Sequence, residues 1–167
     1  MRRRVVMGSV VVATPTERLI IDTLSAILPA TAASYEQCLL DLSGPPRRSY
    51  RGVAHEMREV LRETLDHLAP DADVMTEATF RLEKETTRPT HRQKALYVLR
   101  KRRLSREAIT APELAVSMVE ELGATITRST YTRGSMSAHG LSSSRDVRQL
   151  KMYVDAVLAE LLEIHAQ

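Results

Sequence analysis

The feature that most constrains this chain is the spacing of its apolar residues, which recur every three or four positions almost from end to end. No run alternates polar and apolar residues as a half-buried strand does, so the pattern predicts an all-α fold. It is clearest from Ser49 to Leu68, where Val53, Met57, Val60, Leu61, Thr64, Leu65 and Leu68 form one wide stripe. With 167 residues, 43% of them hydrophobic, there is enough apolar material for one core. The expectation is a single-domain helical bundle of about five to six helices over residues 14–167, preceded by a flexible or edge segment, 1–13.

Punctuation residues divide the pattern. Pro29 closes a first helix from about Thr16, expected to bury Leu19, Ile20, Leu24, Ile27 and Leu28. A second, from about Ala32 to Leu42, stops at Ser43-Gly44-Pro45-Pro46. After the third, Pro70 and Asp71 open a loop of about twenty residues to Pro89, a length that often marks a lid or binding loop. Thr90 caps a fourth helix, which buries Ala95, Leu96, Val98 and Leu99. Thr110-x-x-Glu113 reads as the capping box of a fifth, with Pro112 in its first turn and Arg133-Gly134 at its end. Its core face is expected to carry Leu114, Ala115, Met118, Val119, Leu122 and Ile126. The sixth opens at Ser143-x-x-Asp146 and runs to the C-terminus. Its seam (Val147, Leu150, Val154, Val157, Leu158, Leu161, Ile164) fits an up-down bundle or a helix-mediated dimer.

No apolar run approaches the length that spans a bilayer. Arg2-Arg3-Arg4 followed by Val5 to Ala13 has the outline of a signal peptide, but Gly8 and Ser9 interrupt it and no small-x-small cleavage site follows. It reads better as a frayed terminus or an edge segment. The single cysteine, Cys38, can form neither an internal disulfide nor a Cys-based zinc site. With its leucine neighbours it reads as a small buried hydrophobe, and a reducing cytoplasm fits.

The net charge of +3 hides a local concentration. Between Arg81 and Arg106 stand ten cations (Arg81, Lys84, Arg88, Arg92, Lys94, Arg100, Lys101, Arg102, Arg103, Arg106) against Glu83 and Glu85. Such a patch is either a footprint of polyanion contact or a solvated helix face. On the third helix Arg51, His55, Arg58 and Arg62 line up at offsets of four, three and four, so their side chains share a face. That face is either a cationic wall beside a cleft or a solvated surface paired with Glu59, Glu63 and Asp66.

Common catalytic machinery is missing. There is no Walker loop, no Gly-x-Gly-x-x-Gly, no Gly-x-Ser-x-Gly and no His-Glu-x-x-His. No acidic residue stands two positions before a lysine, so that metal-dependent endonuclease signature is lacking as well. Glu56, Glu120 and Glu121 have no evident metal-site partners along the chain, and neither a metal nor a cofactor is expected. What remains is Tyr131-Thr132-Arg133-Gly134-Ser135-Met136-Ser137-Ala138-His139-Gly140, with five residues between Arg133 and His139.

Here the chain resembles the HEPN superfamily, helical bundles whose motif is an arginine, four to six residues and a histidine near the last core helix. The longer stretch from Tyr50-Arg51-Gly52-Val53-Ala54-His55-Glu56-Met57-Arg58 through the final helix is similar to predicted nucleases encoded beside prokaryotic PIWI-like genes. The resemblance implies a metal-independent RNA endonuclease, in antiphage defence or a toxin system. It also implies a homodimer, or a subunit of a larger complex, that places two motifs face to face and leaves a 2′,3′-cyclic phosphate. Arg62 to His67 and Arg48 to His55 share the motif's spacing. The former pair lies in one helix about 140° apart and cannot converge. Gly134 departs from the polar residue that often follows the arginine.

The chemistry suits the pair. Histidine titrates near neutrality and can move the proton of a ribose hydroxyl or of the leaving oxygen. Arginine stays charged and grips phosphate with two parallel hydrogen bonds. His55, with Arg51 and Arg58, is a possible accessory; His67, His91 and His165 read as structural or solvated. The competing expectations are a non-catalytic helical subunit that binds nucleic acid or protein, and an interaction protein whose exposed last-helix seam docks on another chain. The scarcity of aromatics, Phe80 and five tyrosines, argues against a base-stacking platform.

Overall fold

The computed structural model describes residues 12–128 and 144–164. Among these are seven helices and no strand: α1 (Pro15–Ile27), α2 (Pro29–Ser43), α3 (Arg51–Leu68), α4 (Asp71–Met75), α5 (His91–Lys101), α6 (Arg106–Arg128) and α7 (Ser144–Leu161). The all-α expectation is met.

The amphipathic stripe of α3 makes it the central element, packed against α2, α5, α6 and α7. Val53, Met57, Val60, Leu61 and Leu65 are buried along it. Thr64 sits among them because its hydroxyl donates to the Val60 carbonyl at 2.8 Å, which satisfies its one polar atom. The seam of α7 closes the other side of the core, and Val147, Leu150, Val154, Val157, Leu158 and Leu161 are all buried. Each such side chain contributes roughly 1.5–3 kcal/mol. The seam therefore faces inward, which overturns the expectation of an exposed docking stripe.

Helix boundaries follow local chemistry. Pro29 does more than end α1: it occupies the first turn of α2, where its missing N–H costs nothing. At the start of α1, Thr14 Oγ1 accepts from the Glu17 amide (3.2 Å) and Glu17 Oε2 accepts from the Thr14 amide (2.6 Å). Thr90 and Gln93 repeat this reciprocal cap on α5.

Three expectations need correction. The 70–89 connection is not wholly loop, because Asp71–Met75 makes a short helix whose Val74 reaches the core. The Thr110-x-x-Glu113 match is not a cap: Thr110 Oγ1 donates back to the Arg106 carbonyl (2.9 Å) within a helix already under way. The chain enters α6 earlier, where Ser105 Oγ accepts from the Ala108 amide at 3.2 Å, so Pro112 lies inside the helix. Leu19, Ile27 and Leu114 are exposed rather than buried.

A polar network fastens α1 and α2 to α7. Tyr35 donates its hydroxyl proton to Asp155 Oδ1 (2.7 Å), and Lys151 joins Asp155 to Glu17. Burial raises the Asp155 carboxyl above its ordinary range despite the adjacent lysine.

The ends of the bundle carry different chemistry. Where α5 turns into α6, Arg102 donates to the carbonyl of Glu160 (2.7 Å) and to that of Leu161, at the end of α7. At the opposite end, Arg148 in the first turns of α7 donates to the Leu42 carbonyl near the end of α2. α6 and α7 thus run antiparallel. α6 finishes at the end of the bundle where α3 begins and α7 sets out.

Candidate functional site

Arg133 and His139 fall in the 129–143 stretch, outside the described residues. The chain enters that stretch from α6 and leaves it into α7, at the α3-start end of the bundle. The accessory residues lie on α3 at the same end. Arg51 and His55 are exposed on its first turns. Arg58, one turn further, lies half-buried across α6.

Gly123 makes that crossing possible, since a Cβ there would overlap Arg58 Cδ and Nε. The Arg58 Nη2 then lies 3.5 Å from Glu120 Oε2. Its Nε is buried and has no hydrogen-bond partner among the described residues. The other Glu120 oxygen meets His91 Nδ1 at 2.6 Å. The His91 hydrogen bond, together with the charges of His91 and Arg58, holds the Glu120 carboxyl below its ordinary range against the opposing effect of burial. With Glu120 ionised, His91 Nδ1 is the donor in that hydrogen bond. The sequence reads His91 as structural or solvated. Its place at the first position of α5 was legible, but its pairing with a carboxylate 29 residues away was not.

His91 and Glu120 line an open cleft of about 940 Å³ between α5, α6 and the 83–90 connection. Thr86, Thr87, Arg88, Ser117, Glu121 and Arg62 complete much of its wall. Arg62 is engaged by its own helix, at 2.8 Å from Glu59, 2.8 Å from Asp66 and 3.6 Å from Glu63. The α3 face therefore divides. Its far end pairs within α3, Arg58 pairs with Glu120 across α6, and Arg51 and His55 at the near end are exposed and make no ion pair among the described residues.

The ten cations of 81–106 divide in the same way. Lys94 is 1% exposed and ion-paired with Asp66 and, at 2.5 Å, with Asp71. Burial alone would raise the Asp66 carboxyl, but Lys94, Arg62 and Arg88 outweigh it and hold it below the usual range. Arg88 reaches Asp71 (3.1 Å) and Asp66 (3.4 Å), and Arg92 pairs with Glu113 and Glu83. Arg81 donates to the Phe80 carbonyl at 2.6 Å. Arg102 adds Glu163 (3.5 Å) to its grip on α7. Among the described residues, Lys84, Arg100, Lys101, Arg103 and Arg106 make no ion pair, and all five are exposed. Lys94, expected on the polyanion-binding surface, is instead part of the interior. No three His, Cys, Asp or Glu side chains gather as a metal-ligating group among the described residues. No helix among them is long and apolar enough to cross a membrane.

Fold and site together define an all-helical domain with an imidazole–carboxylate pair in an open cleft and a strongly cationic corner. Residues 25–161 match the family model described as predicted pPIWI-associating nuclease, and the chain belongs to that family. Neither a curated protein nor a solved structure matches it.

Proposed function

We propose that this protein is a metal-independent RNA endonuclease of the HEPN type, with Arg133 and His139 as its catalytic residues. The observation that carries the reading is the family match, which extends from residue 25 to 161 and so takes in the segment bearing both side chains. The bundle is compatible with it. The helices that flank that segment, α6 and α7, are both long, and the ends they turn towards it stand at the end of the molecule where α3 begins. Arg133 binds the scissile phosphate and neutralises the charge of the phosphorane. His139 draws the proton from the ribose 2′-hydroxyl or returns one to the leaving oxygen. The hydroxyl oxygen attacks the adjacent phosphorus, the bond to the 5′-oxygen breaks, and a 2′,3′-cyclic phosphate and a free 5′-hydroxyl result. The second proton-transfer group comes from another copy in a homodimer, or from a larger partner complex. The setting is prokaryotic defence or a toxin system, in the cytoplasm.

The test is incubation of purified protein with RNA in excess EDTA. Wild type is expected to cut and to leave cyclic phosphate ends, whereas His139→Ala and Arg133→Ala lose cleavage by at least about a hundredfold, the usual weight of a general acid or base. RNA binding without cleavage by wild type overturns the enzyme reading in favour of a non-catalytic nucleic-acid-binding subunit. Cleavage that survives both substitutions moves the chemistry elsewhere in the chain.

A further inference from the structure

The α5–α6 corner concentrates charge that the rest of the molecule does not use. Arg100, Lys101, Arg103 and Arg106 fall within seven residues, all exposed and none ion-paired among the described residues. The only acid nearby on the helix they lead into is Glu107, and Glu163 is taken by Arg102. The corner is held tightly. Arg103 adopts φ 58°, the left-handed conformation that ends a helix, and its amide donates to the Arg100 carbonyl at 2.8 Å. A folded protein that keeps four like charges in a rigid turn spends stability on self-repulsion, which a polyanion relieves.

Two aromatics lie close to the corner: the Lys101 ammonium is 5.4 Å from the Tyr97 ring centre, and Phe80 lines a small pocket together with Arg100. The corner's three guanidinium groups and one ammonium address phosphate, which carries no base identity. α6 has 23 residues and so spans about 34 Å, and the corner stands at its start, that distance from Arg128.

We infer that the Arg100–Arg106 corner is a sequence-independent anchoring site for the backbone of the RNA substrate, distinct from the residues that cut the strand. This rests on the nuclease reading for the second half of the statement only; the anchoring half stands without it. Long or folded RNAs are the substrates that benefit, and fragments of a few nucleotides are not.

Two measurements test it. In the first, a 30-nucleotide 2′-O-methyl RNA, which cannot be cleaved, is titrated with wild type and with the variant R100Q/K101Q/R103Q/R106Q over a range of salt. The variant is expected to bind about tenfold or more weaker at low salt and to lower the slope of log K against log salt by about 3. Arg92→Gln, which removes a paired cation, is expected to leave the slope unchanged. An unchanged slope in the fourfold variant overturns the proposal, as does preferential capture of polyglutamate or of phosphatidylserine vesicles by the corner. Should the fourfold variant fail to fold, R100E/R106E carries the same comparison with half the substitutions. In the second measurement, cleavage of a 30-mer and of a tetranucleotide is compared. The variant is expected to slow the first and spare the second, whereas equal slowing of both overturns the separation of the two sites. If neither RNA is cut by wild type, the nuclease reading has failed, and the anchoring claim is still decided by the binding slopes.

Discussion

Two stretches of one basic segment meet opposite fates. Around Asp66 the cations Arg88 and Lys94 are drawn into a cage of carboxylates that ties α3, the short α4 and α5 together. One helix further on, at the α5–α6 corner, Arg100, Lys101, Arg103 and Arg106 stand without acid partners among the described residues. The difference lies in what each backbone position faces. Lys94 is one turn before Val98, so it shares the buried face of α5 and can be charged there only if acids come with it. The corner residues lie past that face, and water solvates them. A count of positive charge along the chain cannot separate a cation that holds the fold from one that is free to hold a ligand; burial and pairing can.

The largest effect that could break this comparison is on stability. Lys94→Ala leaves Asp66 and Asp71 facing each other without their buried counter-charge, and a loss of about 3 kcal/mol is expected in urea unfolding. Any single corner substitution to Gln is expected to stay within about 0.5 kcal/mol. Equal losses at the two places would erase the distinction.

A second, smaller effect sharpens the description of the cleft. Gly123→Ala must displace Arg58 and is expected to cost about 1–2 kcal/mol. In an Arg58→Ala background the obstacle is gone, and the same change should become stabilising by up to about 1 kcal/mol, the helix preference of alanine over glycine. A double-mutant cycle reads the reversal of sign. Additive costs would mean that Arg58 does not lie over Gly123.

The smallest effect is on pH dependence. Glu120 has a depressed carboxyl pKa in the folded state, so the stability it contributes is complete above the ordinary glutamate value of 4.5 and is lost as pH falls through the lower folded value. Glu120→Gln is expected to flatten the acid limb of the stability curve by a fraction of a kcal/mol. An acid limb identical to wild type would remove the His91–Glu120 pair from the account.

Much of the fold was legible because its signals are local. The stripe of α3, the Thr90 cap and the stop at Pro29 each depend on residues within one or two turns. The Thr110 box misled because the same two residue types also occur inside a helix, where threonine can bond back to the preceding turn. Short α4 escaped notice because five residues carry too little periodicity to register. The site was less legible. Arg51, His55 and Arg58 share a face, as their spacing implies, but the His91–Glu120 and Lys94–Asp66 pairs join residues 29 and 28 positions apart, which no spacing rule within one helix can reach. For Lys94 there was a usable signal, a charge in register with Val98 on an apolar face.

The clasp of Arg102 on the last carbonyls of α7 fixes the corner to a second rod lying antiparallel to the first. Each rod therefore braces an end of the other, so that fraying of α7 at Leu161 and loosening of the corner are a single event and not two.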